Sequence, residues 1–156
     1  MIDTALSSLG IDPALVTDQA GWRHIGAGSA FGMINVVEWE PGQHFVVIWS
    51  PMMQAPTDVA LRARLFGVLL TLNHYETGVA RFSLIDDWIM MTAARPIEGL
   101  DEGEVLDLIQ MVLQTADRLD DPIQEAFVIA MPAVPMEPSA QAAALDLMQL
   151  SSRRAR

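Results

Sequence analysis

The chain has 156 residues, of which 51% are hydrophobic and 19% are charged, and this balance predicts one globular domain with a sizeable core. It contains no cysteine, which excludes a disulfide framework and thiolate chemistry. Its net charge of −11 would repel phosphate backbones, so we expect no nucleic-acid partner.

The apolar residues do not form a run of the roughly 18 residues that cross a bilayer. The first residues, 1–4, lack the basic start of a secretory signal. We therefore expect a cytoplasmic protein without membrane insertion, and the lack of cysteine fits a reducing compartment.

The N-terminal part of the sequence predicts short elements. Apolar residues at helical spacing between Ile2 and Leu9 indicate a helix that stops at Gly10, and Asp12-Pro13 can open another turn. The glycine-rich stretch 21–29 predicts a loop with a short strand near residues 22–25.

Two alternating stretches, residues 31–39 and 44–50, predict paired strands around the turn at 40–43. Both faces of these strands are apolar. We expect helices to cover one face, and another chain or a ligand segment to cover the other. Residues 51–56 are interpreted as a linker.

A helix capped by Thr57 or Asp58 is predicted next. Its core stripe is Leu61, Leu65, Val68, Leu69 and Leu72, and a second apolar face holds Val59, Phe66 and Leu70. A helix that is apolar on two sides is buried from two sides, which in a small chain favours a subunit interface.

A hairpin follows, with strands at 80–85 and 88–93 and a turn at Asp86-Asp87. Met90 and Met91 point to opposite faces of one strand, which favours an exposed apolar binding strip. Asp101 and Glu104 form a capping-box pattern, and the helix after them runs to Leu119.

Residues 123–134 are apolar and predict an edge strand or an extended segment. Three prolines make a stiff spacer after it, and Ser139 can cap a last amphipathic helix. We therefore divide the chain into a domain at 1–122 and a proline-containing extension with a helical tail at 123–156.

Motifs with catalytic or ligand-binding chemistry are weak. The glycines at 26–32 precede a strand rather than a helix, which argues against phosphate binding. His24, His44 and His74 lack metal-ligand spacing, and Asp86-Asp87 fits a turn. We expect no cofactor, no metal, no catalytic residue and no enzymatic activity.

Several patterned stretches resemble the type III secretion chaperone-like superfamily, which includes the Tir-chaperone (CesT-type) secretion chaperones and the YbjN-like proteins. These stretches are Leu72-Asn73 closing a helix, the hairpin at 80–94, Pro96-x-x-Gly99-Leu100-Asp101, and a helix ending Ala116-Asp117. The resemblance implies an α+β fold of order α-β-β-β-α-β-β-α, with an antiparallel sheet flanked by helices and, here, a C-terminal helical tail.

The resemblance also implies a homodimer and an extended protein client, such as a secreted effector segment, with the secretion apparatus as a further partner. The implied client-binding residues are Phe31, Met33, Val36, Phe45, Val47, Trp49, Met52 and Met53. The implied dimer interface holds Leu61, Leu65, Phe66, Leu69, Leu70 and Met90.

Three functions are open at this point. The first is a non-enzymatic chaperone that keeps type III secretion effectors secretion-competent. The second is a YbjN-like regulatory or adaptor protein without a secretion role. The third is an enzyme with a dispersed active site, which would need a cleft with convergent polar groups.

Overall fold

The computed structural model of the protein describes residues 1–128. In chain order the elements are α1 (Ile2–Ser8), α2 (Pro13–Val16), β1 (Arg23–Ala27), β2 (Ala30–Glu40), β3 (Gln43–Gln54), α3 (Val59–Tyr75), β4 (Arg81–Ile85), β5 (Trp88–Pro96) and α4 (Glu102–Val128). This confirms the predicted α+β order, with the short α2 added.

The five strands form one antiparallel sheet in the order β1-β2-β3-β5-β4. The register gives the sheet two different faces, because side chains alternate along each strand. The pair Ile34 and Ile48 points to one face, and the pair Met33 and Trp49 points to the other. We call the first the helix face.

The main core lies between the helix face and the helices. α4 runs across β1, β2, β3 and β5 on this side and also packs against α1. Val105, Ile109 and Val112 on α4 are almost fully buried, as are Ile48 and Met91 beneath them. Acidic residues remain on the outer side of α4, so the helix is strongly amphipathic.

Local capping interactions form where the sequence predicts them. The Asp12 carboxylate accepts the Ala14 N–H at 2.9 Å, and Asp58 accepts the Leu61 N–H at 2.7 Å. At the start of α4, Asp101 accepts the Glu104 N–H while Glu104 accepts the Asp101 N–H, which is a reciprocal capping box.

The interpretation of residues 51–56 as a linker is wrong, because β3 continues to Gln54. Proline usually interrupts a central strand since it lacks an N–H. Here Pro51 pairs with Met90 next to a register shift between Pro51 and Met53. The irregularity absorbs the missing hydrogen bond and lets the strand resume.

The expectation of a strand or extended segment from residue 123 is also wrong as far as Val128, because α4 runs through Pro122. Ile123 and Phe127 are buried in the main core, so tertiary packing stabilises the helix beyond the proline. The boundary that we placed after residue 122 therefore falls inside α4. The candidate helix after Ser139 lies outside the described residues.

α3 lies along the β4 edge of the sheet, and only part of its predicted stripe is buried. Leu65 and Leu69 reach the main core, whereas Val68 is 40% exposed. The Asn73 side chain binds the backbone of Phe82 in β4, donating to its carbonyl at 3.2 Å and accepting its N–H at 2.6 Å. The helix end is thereby tied to the edge strand.

None of the helices described for residues 1–128 combines the length and the apolar composition needed to cross a membrane.

Candidate functional site

A second hydrophobic cluster lies on the sheet face opposite the helix face. Met33 and Met90 form its floor, with 1% and 4% of their surface exposed. Around them lie five half-buried side chains, Trp22, Phe31, Trp49, Ile85 and Trp88. We call these seven residues the aromatic face. Its members come from four strands and the loop before β1, and none of them belongs to a described helix.

The strand register brings these residues together. Met33 lies opposite Trp49 across β2 and β3, and Met90 lies opposite Pro51 across β3 and β5. Because β3 is central, the residues it contributes join the two hairpins on one surface. The site therefore depends on long-range pairing of segments that are far apart in sequence.

The rings on this face pack against one another. The Trp22 and Trp49 ring centroids are 4.8 Å apart, with planes inclined by 31°. The His24 ring stacks on Phe31 at 5.6 Å and 27°. Ring contacts at these distances stabilise a fixed arrangement, so the surface is preorganised for apolar groups.

The loop before β1 holds Trp22 in place. The Asp18 carboxylate accepts the N–H groups of Ala20 and Trp22, both at 2.9 Å, and contacts Nε2 of His24 at 2.8 Å. Partial burial acts to raise the pKa of Asp18, but the hydrogen bonds from His24, Trp22 and Ala20 outweigh it and lower the pKa. Asp18 is thus a positioning residue for the aromatic face.

The same sheet face continues towards the β2–β3 turn. Val47 is buried there, and Trp39 meets Phe45 edge-on with centroids 4.8 Å apart. Trp39 is 59% exposed. Apolar surface therefore extends along the strands from the aromatic face to the turn, in a shape suited to an extended segment rather than a small molecule.

The residues predicted to bind a client divide between the two faces. Phe31, Met33, Phe45, Val47 and Trp49 share the open face. Val36, Met52 and Met53 instead pack on the helix side, in or against the main core. Val36 points to the helix side because side chains alternate along β2. Met52 and Met53 both reach the helix side because the strand is irregular after Pro51.

Sequence reasoning did not assign Trp22, Ile85 and Trp88 to the site. Alternation alone placed Trp88 and Met90 on one face of their strand. Their side of the sheet relative to Phe31 is set by the pairing of β3 with β5, which carries no local sequence signal. Trp22 joins them through the Asp18 loop, whose turn-forming aspartate was the available signal.

A second apolar surface lies between α3 and β4. A groove of about 180 Å³ is lined by Phe66, Leu69, Leu70, Asn73, Phe82, Ser83, Leu84 and Ile89. Leu70 in its lining is 70% exposed, and Val59 at the start of α3 is 80% exposed. Exposed apolar side chains along a helix that lines an apolar groove are typical of an interaction surface.

The residues predicted for a dimer interface also divide. Phe66, Leu69 and Leu70 line this groove, and Leu61 is half-buried on the same helix. Leu65 belongs to the core of the single chain, and Leu69 is also buried in that core at the base of the groove. Met90 lies on the aromatic face, which is a different surface.

A polar cluster ties the β1–β2 turn to α4. The Asp117 carboxylate accepts the Ser29 N–H at 2.6 Å, and the Ser29 hydroxyl lies 2.9 Å from Asp117 and 2.8 Å from Asp120. The Ser29 hydrogen bonds lower the pKa of Asp117. Within residues 1–128 there is no group of three or more His, Cys, Asp or Glu side chains that could hold a metal. The cluster has a structural role in closing the hairpin onto the helix.

Comparisons with known proteins agree with this architecture. A family model described as TY-Chap1, T3SS (YopN, CesT) and YbjN peptide-binding chaperone 1, matches residues 1–128. A comparison with curated protein sequences gives no significant match.

Among solved structures, the chain is similar to one from the heterodimeric ExoU–SpcU complex of the type III secretion system of Pseudomonas aeruginosa. The TM-score is 0.55 at 14% identity, and the alignment covers 81% of this chain and 98% of that chain. At this identity, the likeness shows a shared fold.

Proposed function

Because the chain belongs to the TY-Chap1 family of T3SS and YbjN peptide-binding chaperones, we propose that it binds extended segments of type III secretion effectors and keeps them secretion-competent. The observation that carries this proposal is the aromatic face, an apolar sheet surface that no described helix covers. In this function the protein acts in the cytoplasm and without catalysis.

The geometry of the aromatic face supports an extended client. Trp22, Trp49 and Trp88 offer large apolar area with few rotatable bonds, which keeps the entropy cost of binding low. Met33 and Met90 beneath them can adjust to side chains of different shape. A rigid rim above an adaptable floor favours clients that share apolar character rather than one sequence.

We further propose that two copies associate through the surface between α3 and β4. Leu70, Val59 and Leu84 are 70%, 80% and 43% exposed in the single chain, and a second copy would remove them from water. This interface would leave the aromatic face open, since Met90 and the tryptophans lie on another surface.

The test is co-expression of the full chain with candidate secreted proteins from the same genome, followed by size-exclusion chromatography with light scattering. We expect a dimer that co-elutes with an effector N-terminal segment. The proposal fails if no effector candidate co-elutes with a folded dimer.

Substitutions then locate the binding surface. Trp22→Ala and Trp49→Ala should weaken the complex at least tenfold, since each removes a large apolar contact. Tyr75→Ala is the matched control, because Tyr75 is an aromatic residue of α3 that is 75% exposed. Equal weakening by all three variants, with unchanged circular dichroism, would place the client elsewhere.

The family description also names YbjN, which favours a second candidate, a regulatory or adaptor protein without a secretion role. It predicts the same apolar contacts with a different partner. A dimer that binds a non-secreted protein through Trp22 and Trp49, and no effector segment, would support it.

A further inference from the structure

We propose that the proline-containing segment 129–138 of this chain docks on its own aromatic face when no client is bound. The proposal rests on the proposed function for the role of that face. It adds regulation, because a client must then displace an internal occupant.

The last described helix, α4, ends on the helix face, near one end of the strands that also carry the aromatic face. Near the end of α4, Gln124 Nε2 donates to the Met52 carbonyl at 3.4 Å. Met52 follows Pro51, which lies opposite Met90, and Gln54 lies opposite Trp88. The described part of α4 therefore ends near the end of the sheet that carries Met90 and Trp88, two members of the aromatic face.

The segment is long enough to pass around this end of the sheet. Ten residues in an extended polyproline conformation span roughly 30 Å, at about 3.1 Å per residue. Packed layers lie about 10 Å apart, and five strands cover roughly 20 Å. Residues 134–138 can therefore reach the aromatic face while residue 129 stays next to α4.

The segment has the chemistry that an aromatic surface binds. Residues 129–138 carry a single charge, at Glu137, and prolines stand at positions 132, 135 and 138. Proline fixes φ and predisposes the segment to an extended conformation, so little entropy is lost when it lies against aromatic rings. Val134 and Met136 add apolar side chains between the prolines.

Charge and tethering favour this occupant over a free peptide. Residues 1–128 hold 18 carboxylates and six arginines, whereas residues 129–156 hold two carboxylates and three arginines. The domain is strongly negative, and residues 139–156 hold three arginines and one carboxylate, so the end of the tail is attracted to the domain at long range. A short tether also gives the segment an effective concentration in the millimolar range.

The test uses the full chain with the substitution Ser139→Cys and a spin label on that residue. The label is attached at one position only, because the natural sequence has no cysteine. The readout is the NMR intensity of the indole N–H groups. We expect at least a twofold loss for Trp22, Trp49 and Trp88, and a smaller loss for Trp39 near the β2–β3 turn.

A paired set of variants makes the test specific. With the label retained, Val134→Asp plus Met136→Asp should restore the three indole signals, because charges are costly against apolar rings. Gln141→Asp plus Gln149→Asp adds the same charge outside the segment and should leave the broadening unchanged. Equal broadening of all four indoles, or no recovery with the first pair, would overturn the proposal.

A mixed sample distinguishes docking of the segment on its own chain from docking on a second copy of the protein. Spin-labelled protein without isotope is mixed with isotope-labelled protein that carries no spin label. Broadening of Trp22, Trp49 and Trp88 in this sample would assign the segment to the partner and overturn docking on its own chain. We expect these signals to keep their intensity.

The outcome is independent of the client experiment. If the indole signals report docking but no effector segment co-elutes, the proposed function fails and the internal occupant stands. If an effector segment binds through Trp22 and Trp49 while the label broadens nothing, the internal occupant fails and the proposed function stands. Where both hold, adding the co-eluting effector segment should reverse the broadening.

Discussion

The Asn73 side-chain amide replaces a strand partner for Phe82. It donates to the Phe82 carbonyl and accepts the Phe82 N–H, the two groups that a neighbouring strand would bind at the β4 edge. The helix α3 thereby protects part of an exposed sheet edge, which otherwise invites pairing with another chain.

Asn73→Ala should lower the free energy of unfolding by about 1–3 kcal/mol, because both backbone groups of Phe82 lose their partner. Urea unfolding followed by circular dichroism measures this. Thr71→Ala is the control, since Thr71 is an exposed residue of the same helix whose hydroxyl binds only the preceding turn. If Asn73→Ala is no less stable than Thr71→Ala, the edge contact contributes nothing.

Leu69 and Leu70 are neighbours in sequence with opposite environments. Leu69 is 5% exposed and Leu70 is 70% exposed. Leu69→Asp should destabilise the fold by about 3–5 kcal/mol, because it buries an unpaired charge. Leu70→Asp should leave the fold intact and dissociate the dimer proposed above. Thermal unfolding and light scattering separate the two effects.

Leu15→Asp is the control for the dimer surface, because Leu15 is 84% exposed and lies on α2, which packs on β1 at the sheet edge opposite β4 and α3. This variant should change neither the melting temperature nor the molar mass measured by light scattering. A Leu69→Asp variant that stays folded and dimeric would contradict the placement of α3, and a dimeric Leu70→Asp variant would contradict the interface.

Gly28 and Gly42 test the contact between the β1–β2 turn and α4. Both have positive φ, +60° and +81°, so alanine costs about 1–2 kcal/mol at either position. A Cβ at Gly28 would also overlap the Asp117 carboxylate, whereas at Gly42 it meets nothing within 4 Å. Gly28→Ala should therefore be clearly less stable than Gly42→Ala in chemical denaturation. Equal losses of stability in the two variants would mean that the contact between the β1–β2 turn and Asp117 of α4 does not stabilise the fold.

Stability should fall in acid, because Asp18 and Asp117 both have a pKa lowered from 3.8 by hydrogen bonds in the folded state. A lowered pKa adds stability above the unfolded value, and this is lost as pH falls through the folded value. We expect a steady free energy of unfolding from pH 7 to about 5 and a decline below that.

The substitution Asp117→Asn should make this decline shallower, because the amide oxygen still accepts the Ser29 N–H but does not titrate. Asp107→Asn changes an exposed carboxylate of the same helix and should keep the wild-type slope. Denaturant unfolding between pH 2 and 7 measures both. Identical slopes for wild type and Asp117→Asn would show that Asp117 is not linked to folding.

Local signals in the sequence predicted the turns and caps of this fold. Asp58, Asp101 and Glu104 act where capping rules place them, because their partners lie within three residues. Pro51 and Pro122 misled the prediction for the opposite reason. A proline in the sequence indicates only the loss of one backbone N–H donor at that position. Long-range pairing of β3 and burial of Ile123 beyond Pro122 in α4 outweigh that loss.

The candidate site was predictable only in part. The family resemblance implied Phe31, Met33 and Trp49, and the pairing of β2 with β3 places them on one face. Trp88 required the register between β3 and β5, and Trp22 required the hydrogen bonds of Asp18. A surface assembled from several strands is determined by pairing distances that the sequence does not display.

The two methionines under the tryptophans have a consequence for oxidative damage. Met33 and Met90 are 1% and 4% exposed, so an oxidant reaches them only when the rings above are displaced. A sulfoxide there would place a polar group under an apolar surface and disrupt it. The rate of sulfoxide formation at these two positions, measured by mass spectrometry, should therefore report how often the aromatic side chains move away from the methionines. This measurement needs no labelled client.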